Sequence, residues 1–477
     1  MSPAILWFRR NLRIIDNDAL IAAADSGQPI VAVYVSDDLD TGGASRWWLH
    51  HSLQALSKSI EDLGGSLVIR RGEPEDVISA LVAETGASAL YCAARYEPEA
   101  RRQQKKIRAK LGKDFAIEAV HDGVMQHPST VLTKSGSPYK VFTPYWRAAS
   151  ALADPATPRP APDAVEFLDH DLDSLSVDQL ELLPTAPDWS GGMTETWTPG
   201  EAGALARIDA LSKSAPHYDK RRDRPDMEAT SRLSPHLHFG EVSVRQVWHA
   251  IKDVERKSPT SSGTDALSRQ LFWRDFSTYL LYHFPGLPDT PLRPEFEAFP
   301  WQQDAEMLRA WQKGMTGFPI VDAGMRQLWH TGWMHNRVRM IVASFLVKEL
   351  LIPWQQGAAW FADTLVDHDL ANNSASWQWV AGCGTDSAPY FRIFNPTLQG
   401  QKFDPNGDYV RRWVPELAKL DRRVIHEPWQ ASYGEQKAAG VVVGKDYPSP
   451  IVDRSIARER ALEAYHSLRG DEQRKSA

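Results

Sequence analysis

The sequence predicts an α/β doubly wound parallel sheet followed by an all-α domain. Three observations predict this fold class. Short β-branched runs alternate with amphipathic stretches over the first 150 residues, residues 151–200 contain seven prolines, and from about residue 201 apolar residues recur at spacings of three and four. We therefore predict an α/β domain at 1–150, an acidic linker at 151–200 and a helical domain at 201–477.

Apolar runs in the first part predict buried parallel strands at residues 4–8, 30–35, 66–70, 89–92 and 117–120. Amphipathic stretches such as residues 47–63 predict helices between them. Sheets of this kind often bind nucleotides, but no G-x-G-x-x-G motif follows the first run. The fold class alone therefore assigns no function.

The net charge of −7 is unevenly distributed along the chain, and this changes what it implies about binding partners. The linker holds ten acidic residues and one basic residue, so it carries −9 and the rest of the chain carries +2. Residues 392–423 hold seven basic and four acidic residues, with Phe403, Tyr409 and Trp413 among them. Such a stretch fits a solvated face or a DNA-contacting surface.

Two cysteines, Cys92 and Cys383, are too few for a disulfide framework or a four-cysteine cluster, so we expect no iron–sulfur centre or other metal site. No apolar run approaches the ~20 residues of a membrane helix, and the first residues lack a signal-peptide pattern. We expect a monomer in the cytoplasm, away from membranes.

The segment DHDLANNSASWQW at residues 367–379 has the most informative pattern. In a helix, Asp369, Asn373 and Trp377 stand at i, i+4 and i+8, so a carboxylate, an amide and an indole share one face. That face suits a ring-shaped cofactor. A capped helix with a Trp on its core side explains the same residues.

Three further stretches combine polar and aromatic residues. Residues 332–340 bring Asn336, Arg339 and Met340 together at helical spacing, and a buried Arg339 needs a carboxylate partner. Residues 218–234 combine basic residues with hydroxyl groups, which suits a pyrophosphate or an exposed basic turn. Residues 270–276 place Gln270, Trp273 and Arg274 on one side of a helix. The chain has 18 Trp, and a Trp-rich core is the ordinary explanation for that number.

Taken together and in this order, these motifs resemble the photolyase/cryptochrome family. WQW at 377–379 followed by APYFRIFNPTLQG at 388–400 is close to the family's signature, and LWFRRNLR at 6–13 resembles its N-terminal opening. The resemblance covers nearly the whole chain. It implies a bent FAD in the helical domain and a light-harvesting antenna in the first domain.

The resemblance also implies residues that hold FAD. Asp367 and Asp369 would face the flavin ring and ribitol, with Arg339 paired to Asp367. The phosphates would be held by Tyr218, Thr230, Ser231, Arg232, Leu233, Ser234 and Arg274, and Gln270 would contact both FAD and substrate.

Asn373 would stand at flavin N5. Plant-type cryptochromes carry Asp there, which can supply a proton, whereas an amide is a poor proton donor and suits a fully reduced anion. This difference favours repair over signalling. The family's electron chain implies Trp377, Trp354 and Trp301 as proximal, middle and distal members, and an additional route through Trp333 and Tyr390 is left open.

The implied substrate is a cyclobutane pyrimidine dimer in DNA. Trp273 and Trp379 match the indoles that pack on a flipped-out dimer. Relatives that repair the six-four photoproduct carry two histidines where this chain has Asn336 and Met340, and Gln270 replaces the usual Glu at the dimer's base edge. The further expected DNA contacts are Arg337, Arg392, Gln399 and Lys402, with Arg411 and Arg412 as additional phosphate candidates.

SPHLHFGEVS at 234–243 resembles plant cryptochromes, so the resemblance favours the third class of cyclobutane dimer photolyases.

Glu99 resembles the pterin-contacting Glu of folate antennae and predicts methenyltetrahydrofolate, whereas SRWW at 45–48 resembles relatives that bind 8-hydroxy-5-deazaflavin. The alternative function is a cryptochrome-type blue-light receptor, for which we expect residues 455–477 to be too short a signalling tail, and a non-enzymatic DNA-binding flavoprotein is a third.

Overall fold

The computed structural model describes residues 1–37, 42–259, 262–386 and 392–475, and for residues 469–475 the backbone alone. The chain forms two compact units. The first comprises Met1–Asp219, Ser231–Pro285 and Val366–Asp369, and the second comprises Lys220–Thr230, Gly286–Leu365 and Leu370–Ala477. The predicted domain division at residues 150 and 200 stays a prediction.

Among its described residues, the first unit contains a parallel sheet of five strands. They are β1 (Ala4–Phe8), β2 (Ile30–Ser36), β3 (Leu67–Arg71), β4 (Ala89–Ala93) and β5 (Ala116–Val120), in the order β3-β2-β1-β4-β5. Strands β1 and β2 are buried along their whole length, which explains their unbroken apolar runs. The order reverses direction at β1, so the predicted doubly wound sheet is confirmed.

Helices connect successive strands and continue beyond the sheet. The connecting helices are α1 (Asp18–Asp25), α2 (Gly43–Asp62), α3 (Pro74–Thr85) and α4 (Pro98–Leu111). The later helices that lie in this unit or begin in it are α5 (Phe142–Leu152), α6 (Gly191–Thr196), α7 (Glu201–Ser214), α8 (Tyr218–Arg221), α9 (Ser234–Phe239), α10 (Val244–Lys257) and α11 (Ser262–His283).

The acidic, proline-rich segment 151–200 is part of the first unit and packs within it. Phe167 forms an isolated bridge with Ile30 of β2, and its ring lies where a Cβ on Gly65 would be. Met193 and Trp197 are buried. The segment is therefore held by scattered apolar anchors, although its composition predicts little packing.

A charged network ties α9 to the loop that follows β1. Arg13 pairs with Asp122 at 2.6 Å, both nearly inaccessible to water, and donates to the carbonyl of Gly240. Gly240 has a φ of 66°, and a Cβ there would lie 1.9 Å from the carbonyl oxygen of Arg10. Only glycine fits this approach, which fixes the end of α9 beside Arg10.

The described part of the second unit is helical, which confirms the predicted all-α half. Its helices are α12 (Ala305–Gln312), α13 (Pro319–Thr331), α14 (Asn336–Ser344), α15 (Trp354–Thr364), α16 (Leu370–Ala381), α17 (Pro396–Phe403), α18 (Asp408–Trp413), α19 (Tyr433–Ala439) and α20 (Arg454–Lys475). The apolar residues predicted at spacings of three and four, from Val338 to Leu346, are buried in its core. None of the described helices is long and apolar enough to cross a membrane.

Candidate functional site

Asp369 belongs to the first unit and directly precedes α16 in the chain. Its Oδ2 lies 3.7 Å from Nδ1 of His238, which is buried in α9, and Nη1 of Arg10 lies 2.7 Å from the same nitrogen. Burial alone would raise the pKa of Asp369, but the hydrogen bond and charge of His238, with the charges of Arg274 and Arg10, hold it well below its usual range. Asp369 stays ionised and can only accept hydrogen bonds.

Arg274 lies on α11 and is fixed by backbone carbonyls. It donates to the carbonyl of Gly123 at 2.5 Å and to that of Leu237 at 3.2 Å. The next residue, Asp275, is buried and accepts from the backbone N–H of Met125 at 2.7 Å. Burial raises the pKa of Asp275 to about 7, against the opposing charge of Arg274. A guanidinium held this way has its direction set before any ligand binds.

The predicted phosphate-contacting segment leads into α9. Arg232 has a φ of 54°, and its guanidinium lies 5.9 Å from the ring centre of Trp197. The hydroxyl of Ser231 accepts from the N–H of Leu233 at 3.3 Å. Of the predicted set, Tyr218, Ser231, Arg232, Leu233 and Ser234 belong to the first unit and Thr230 to the second.

Trp273 is the exposed aromatic residue of α11, with 37% of its surface accessible. One face of its indole is covered by Phe142, at 3.5 Å between ring centres and 8° between planes. Gln270, one turn earlier, is half-buried and donates from Nε2 to the carbonyl of Ala266 at 3.1 Å. Trp273 therefore has a supported indole with exposed surface, a geometry on which a base can stack.

Asn373 lies on α16 in the second unit. Its Nδ2 donates to the backbone carbonyl of Ala358 on α15 at 3.0 Å. This bond uses one of the two N–H donors of the amide, fixes its orientation and leaves Oδ1 as an acceptor. Asn373 and Trp377 lie one turn apart on α16, as predicted, whereas Asp369 stands just before the first helical residue.

Trp377 is buried in the core of the second unit. Its ring lies 5.0 Å from that of Phe361 and 6.3 Å from that of Trp311, in edge-on arrangements. A Cβ on Gly357 would lie 2.1 Å from Cη2 of Trp377. The lack of a side chain at this one position of α15 therefore makes room for the indole.

The other two predicted electron carriers differ in exposure. Trp354 begins α15 and is 1% exposed, whereas Trp301 is partly buried and packs on Phe299 with 4.3 Å between ring centres. Trp333 is buried. Tyr390, and with it residues 388–391 of the signature, lies outside the described residues.

The predicted substrate residues of α14 begin that helix. Asn336 is exposed, and its Nδ2 contacts Sδ of Met340 at 4.0 Å, so the two share a face as predicted. Arg337 pairs with Asp223 at 2.9 Å and lies 4.5 Å from the ring centre of Phe403. These contacts hold the Arg337 guanidinium in place and partly compensate its positive charge.

Arg339 donates to the carbonyl of Met334 at 2.7 Å. Its predicted pairing with Asp367 stays a prediction. His335, the cap of α14, accepts from the N–H of Arg337 at 3.2 Å, and burial lowers its pKa to about 4. His335 is therefore neutral and structural.

The basic stretch from residue 392 places cations over aromatic rings. The Arg392 guanidinium lies 4.8 Å from the ring of Phe394, and Nζ of Lys402 lies 5.2 Å from that of Phe403. Arg411 donates to the carbonyls of Ala418 and Leu420, so these guanidinium donors are already bonded within the second unit. Gln399 on α17 is half-buried, and Nε1 of Trp379 donates to the carbonyl of Asp386 at 2.9 Å.

Comparisons with known proteins match both halves of this chain. Residues 4–163 match the family model described as DNA photolyase, and residues 267–467 match the FAD binding domain of DNA photolyase. A deoxyribodipyrimidine photo-lyase of Agrobacterium fabrum is 48% identical over 472 residues, which cover 98% of each chain. The chain belongs to the photolyase/cryptochrome family. The family predicted from the motifs is thus confirmed.

Other members of the photolyase/cryptochrome family are also similar. A solved structure of a bacterial class III photolyase from Agrobacterium tumefaciens gives a TM-score of 0.95 at 48% identity, covering 98% of both chains. Cryptochrome-1 of Arabidopsis thaliana is 37% identical over 98% of this chain and 70% of its own length. The predicted likeness to class III photolyases and plant cryptochromes is confirmed.

The polar groups of each unit, taken separately, have the chemistry that parts of FAD bind. Ser231 and Ser234 supply hydroxyls and Arg232 a cation, which match the oxygens of a pyrophosphate. The ionised Asp369 accepts from N–H and O–H groups, and Oδ1 of Asn373 accepts from an N–H group. These are the functional groups that a flavin, its ribitol and its phosphates require.

The predicted antenna residues lie in different environments. Glu99, in the first turn of α4, is partly exposed and pairs with Arg102 through Oε2. Ser45, Trp47 and Trp48 are buried, and Nε1 of Trp48 donates to Glu241 at 2.8 Å. Glu99 is therefore accessible to a ligand, whereas these residues of the SRWW segment belong to the interior.

Sequence reasoning missed three partners: His238 of Asp369, Phe142 under Trp273 and the Ala358 carbonyl that holds Asn373. His238 lies in the segment that resembles plant cryptochromes, so its imidazole was visible as a candidate. Phe142 and Ala358 gave no signal, because an ordinary Phe and a backbone carbonyl carry no pattern of their own.

Proposed function

We propose that this chain repairs cyclobutane pyrimidine dimers in DNA, driven by light absorbed by bound FAD. The observation that carries the proposal is the Asn373 amide, whose donor end is held by the carbonyl of Ala358. An acceptor at this position accepts from a protonated N5 and supplies no proton, which suits a fully reduced flavin. The family membership and the 48% identity to a deoxyribodipyrimidine photo-lyase support the same proposal.

FAD, when bound and reduced, supplies the light-excited electron that opens the cyclobutane ring. Asp369 would accept hydrogen bonds from the flavin ring or ribitol, and Asn373 would accept one at N5. Arg274, held by two carbonyls, keeps its remaining donors for the phosphate side. The other proposed contacts to FAD are Tyr218, Thr230, Ser231, Arg232, Leu233, Ser234, Gln270, Arg339 and Asp367.

The dimer stacks on Trp273, whose other face is already packed on Phe142. Because one face is fixed, binding a base orders little else, which lowers the entropic cost. Gln270 contacts the base edge. Trp379, Asn336, Arg337, Met340 and Gln399 complete the proposed dimer contacts, and Arg392 and Lys402 contact phosphates.

Trp377, Trp354 and Trp301 pass electrons to the flavin when it is oxidised. The burial of Trp377 and Trp354 keeps water from these indoles, whereas Trp301 is partly accessible. A buried middle member is what such a chain needs, because a carrier open to water loses its proton before the next step.

For the antenna we propose methenyltetrahydrofolate in contact with Glu99. The exposure of the Glu99 carboxylate supports this assignment, and the burial of Trp47 and Trp48 argues against 8-hydroxy-5-deazaflavin at that segment. An absorption spectrum of the purified protein with a near-ultraviolet band beyond those of FAD would support folate. The domain division at residues 150 and 200, the monomeric state and the cytoplasmic location are further proposals, which rest on the sequence.

Repair is tested with purified protein, reductant and an oligonucleotide that contains one dimer. Blue light should restore the undamaged oligonucleotide, and the dark sample should not change. A light-induced change of the flavin spectrum without loss of dimers would instead support a cryptochrome-type receptor. Protein without flavin would remove both functions.

A further inference from the structure

A pair of indoles lies in the second unit, apart from the three proposed electron carriers. Trp329 on α13 and Trp360 on α15 stack with 6.0 Å between ring centres and 7° between planes. Trp360 is partly buried against the core, and Trp329 is 51% exposed. The pair therefore runs from the core to the surface.

Helix α15 links this pair to Trp377. Gly357 lies against the Trp377 ring, and Phe361 packs on it at 5.0 Å between ring centres. Trp360 stands between these residues in sequence, about 4.5 Å along the helix axis from Gly357. The same helix that touches Trp377 thus carries the inner indole of the stacked pair.

We propose that Trp360 and Trp329 form a second route by which electrons reach Trp377 from the protein surface. The inference rests on the proposed function, because Trp377 must first give one electron to the light-excited, oxidised flavin. Trp360 then gives one electron to Trp377, and Trp329 gives one to Trp360. Oxidised Trp329 releases its indole N–H proton to water, and an added thiol returns one electron and one proton.

The exposure of Trp329 makes it suitable as the outer member. Half of its surface is exposed to solvent, and loss of the indole proton to solvent leaves a neutral radical that keeps the oxidation at the surface. A purely structural pair contributes ring packing, which Phe largely preserves. Phe cannot replace the redox role, because its ring is much harder to oxidise.

The test uses flavin-loaded protein in a Trp301→Phe background, in which the first route lacks its outer member. Under blue light with thiol, photoreduction should persist and then fall severalfold on adding Trp329→Phe or Trp360→Phe. Trp146→Phe, a partly buried indole of the first unit, is the control and should leave the rate unchanged. Equal rates with and without Trp329 would overturn the inference, while dimer repair by the same protein with a chemical reductant tests the proposed function separately.

A second readout separates electron transfer from ordinary photodamage. Without thiol and in air, peptide mass spectrometry should find light-dependent oxygen addition at Trp329, reduced severalfold by Trp360→Phe. Oxygen addition that ignores Trp360 would mean direct attack on an exposed indole and would overturn the route. Absence of any photoreduction in wild-type protein would remove this inference, whereas dimer repair with a chemical reductant would leave the proposed function standing.

Discussion

Nδ2 of Asn373 lies 3.0 Å from the backbone carbonyl oxygen of Ala358 and donates a hydrogen bond to it across the packed helices α15 and α16. A backbone carbonyl can only accept, so the bond selects a donor at position 373. An ionised carboxylate there would face the carbonyl as a second acceptor. The helix pair thus specifies an amide and fixes which of its ends faces away.

Asn373→Asp should change the state of the illuminated flavin. The carboxyl group must either take up a proton to keep its bond to Ala358 or turn away from it, and a protonated carboxyl can supply N5 with a proton. We expect absorption spectra after illumination to shift toward the neutral flavin radical. Asn372→Asp adds the same charge to α16 and should leave the spectra unchanged. Identical spectra for Asn373→Asp and wild type would remove the argument from this residue.

Sequence patterns were sufficient for the fold because burial on both faces leaves a continuous apolar run. Strands β1 to β4 each lie within two residues of the predicted bounds, and β5, half exposed along its length, had the least distinct pattern. Residues 151–200 behave differently. Anchors such as Phe167 and Trp197 stand among prolines and acidic residues, so their burial depends on tertiary contacts that no local period encodes.

For the candidate site, spacing predicted which side chains share a helix but not what holds them. The i, i+4 relation of Asn373 and Trp377 followed from the helix period. The contact between Asp369 and His238 joins residues 131 positions apart, and the packing of Phe142 on Trp273 joins two helices. Such contacts arise only when the chain is folded.

Replacing Trp273 should weaken binding to damaged DNA. Trp273→Ala removes a stacking face worth about 1 to 3 kcal/mol, so the Kd for a dimer-containing oligonucleotide should rise about 5- to 150-fold, and Trp273→Phe should lose less. Fluorescence anisotropy measures both variants. Undamaged DNA is the control ligand, and an equal loss of affinity for it would mean that Trp273 does not recognise the lesion.

Gly357→Ala should destabilise the second unit. The new Cβ would lie 2.1 Å from Cη2 of Trp377, a ring confined by Phe361 and Trp311. Overpacking costs about 1 to 3 kcal/mol and exceeds the ~1 kcal/mol that Ala adds to a helix. Urea unfolding should show the loss, whereas Gly191→Ala, with open space around it, should be nearly neutral. A stabilised Gly357→Ala protein would mean that the indole moves freely.

The buried Asp275 should make stability depend on pH. Its pKa rises from 3.8 to about 7 on folding, so the folded protein holds a proton that the unfolded chain has lost, and wild-type stability falls as pH rises through that window. Asp275→Asn removes this dependence. Its free energy of unfolding, relative to that of wild type, should therefore rise by up to ~4 kcal/mol between pH 4 and pH 7. Unfolding at several pH values measures the gain. Asp265→Asn, exposed on the same helix, should leave the profile unchanged, and parallel profiles for Asp275→Asn and wild type would contradict the burial effect.

Arg392 and Lys402 should contribute to DNA binding through phosphates and hence through salt dependence. Each phosphate contact adds about 0.9 to the slope of log K against log salt for duplex DNA. Arg392→Ala and Lys402→Ala should each lower the slope by about one, and the double variant by about two, with the same effect on damaged and undamaged duplexes. Lys437→Ala, an exposed lysine of α19, is the matched control for loss of one positive charge. If Lys437→Ala lowers the slope as much as Arg392→Ala does, the effect comes from net charge and the two residues are not phosphate contacts.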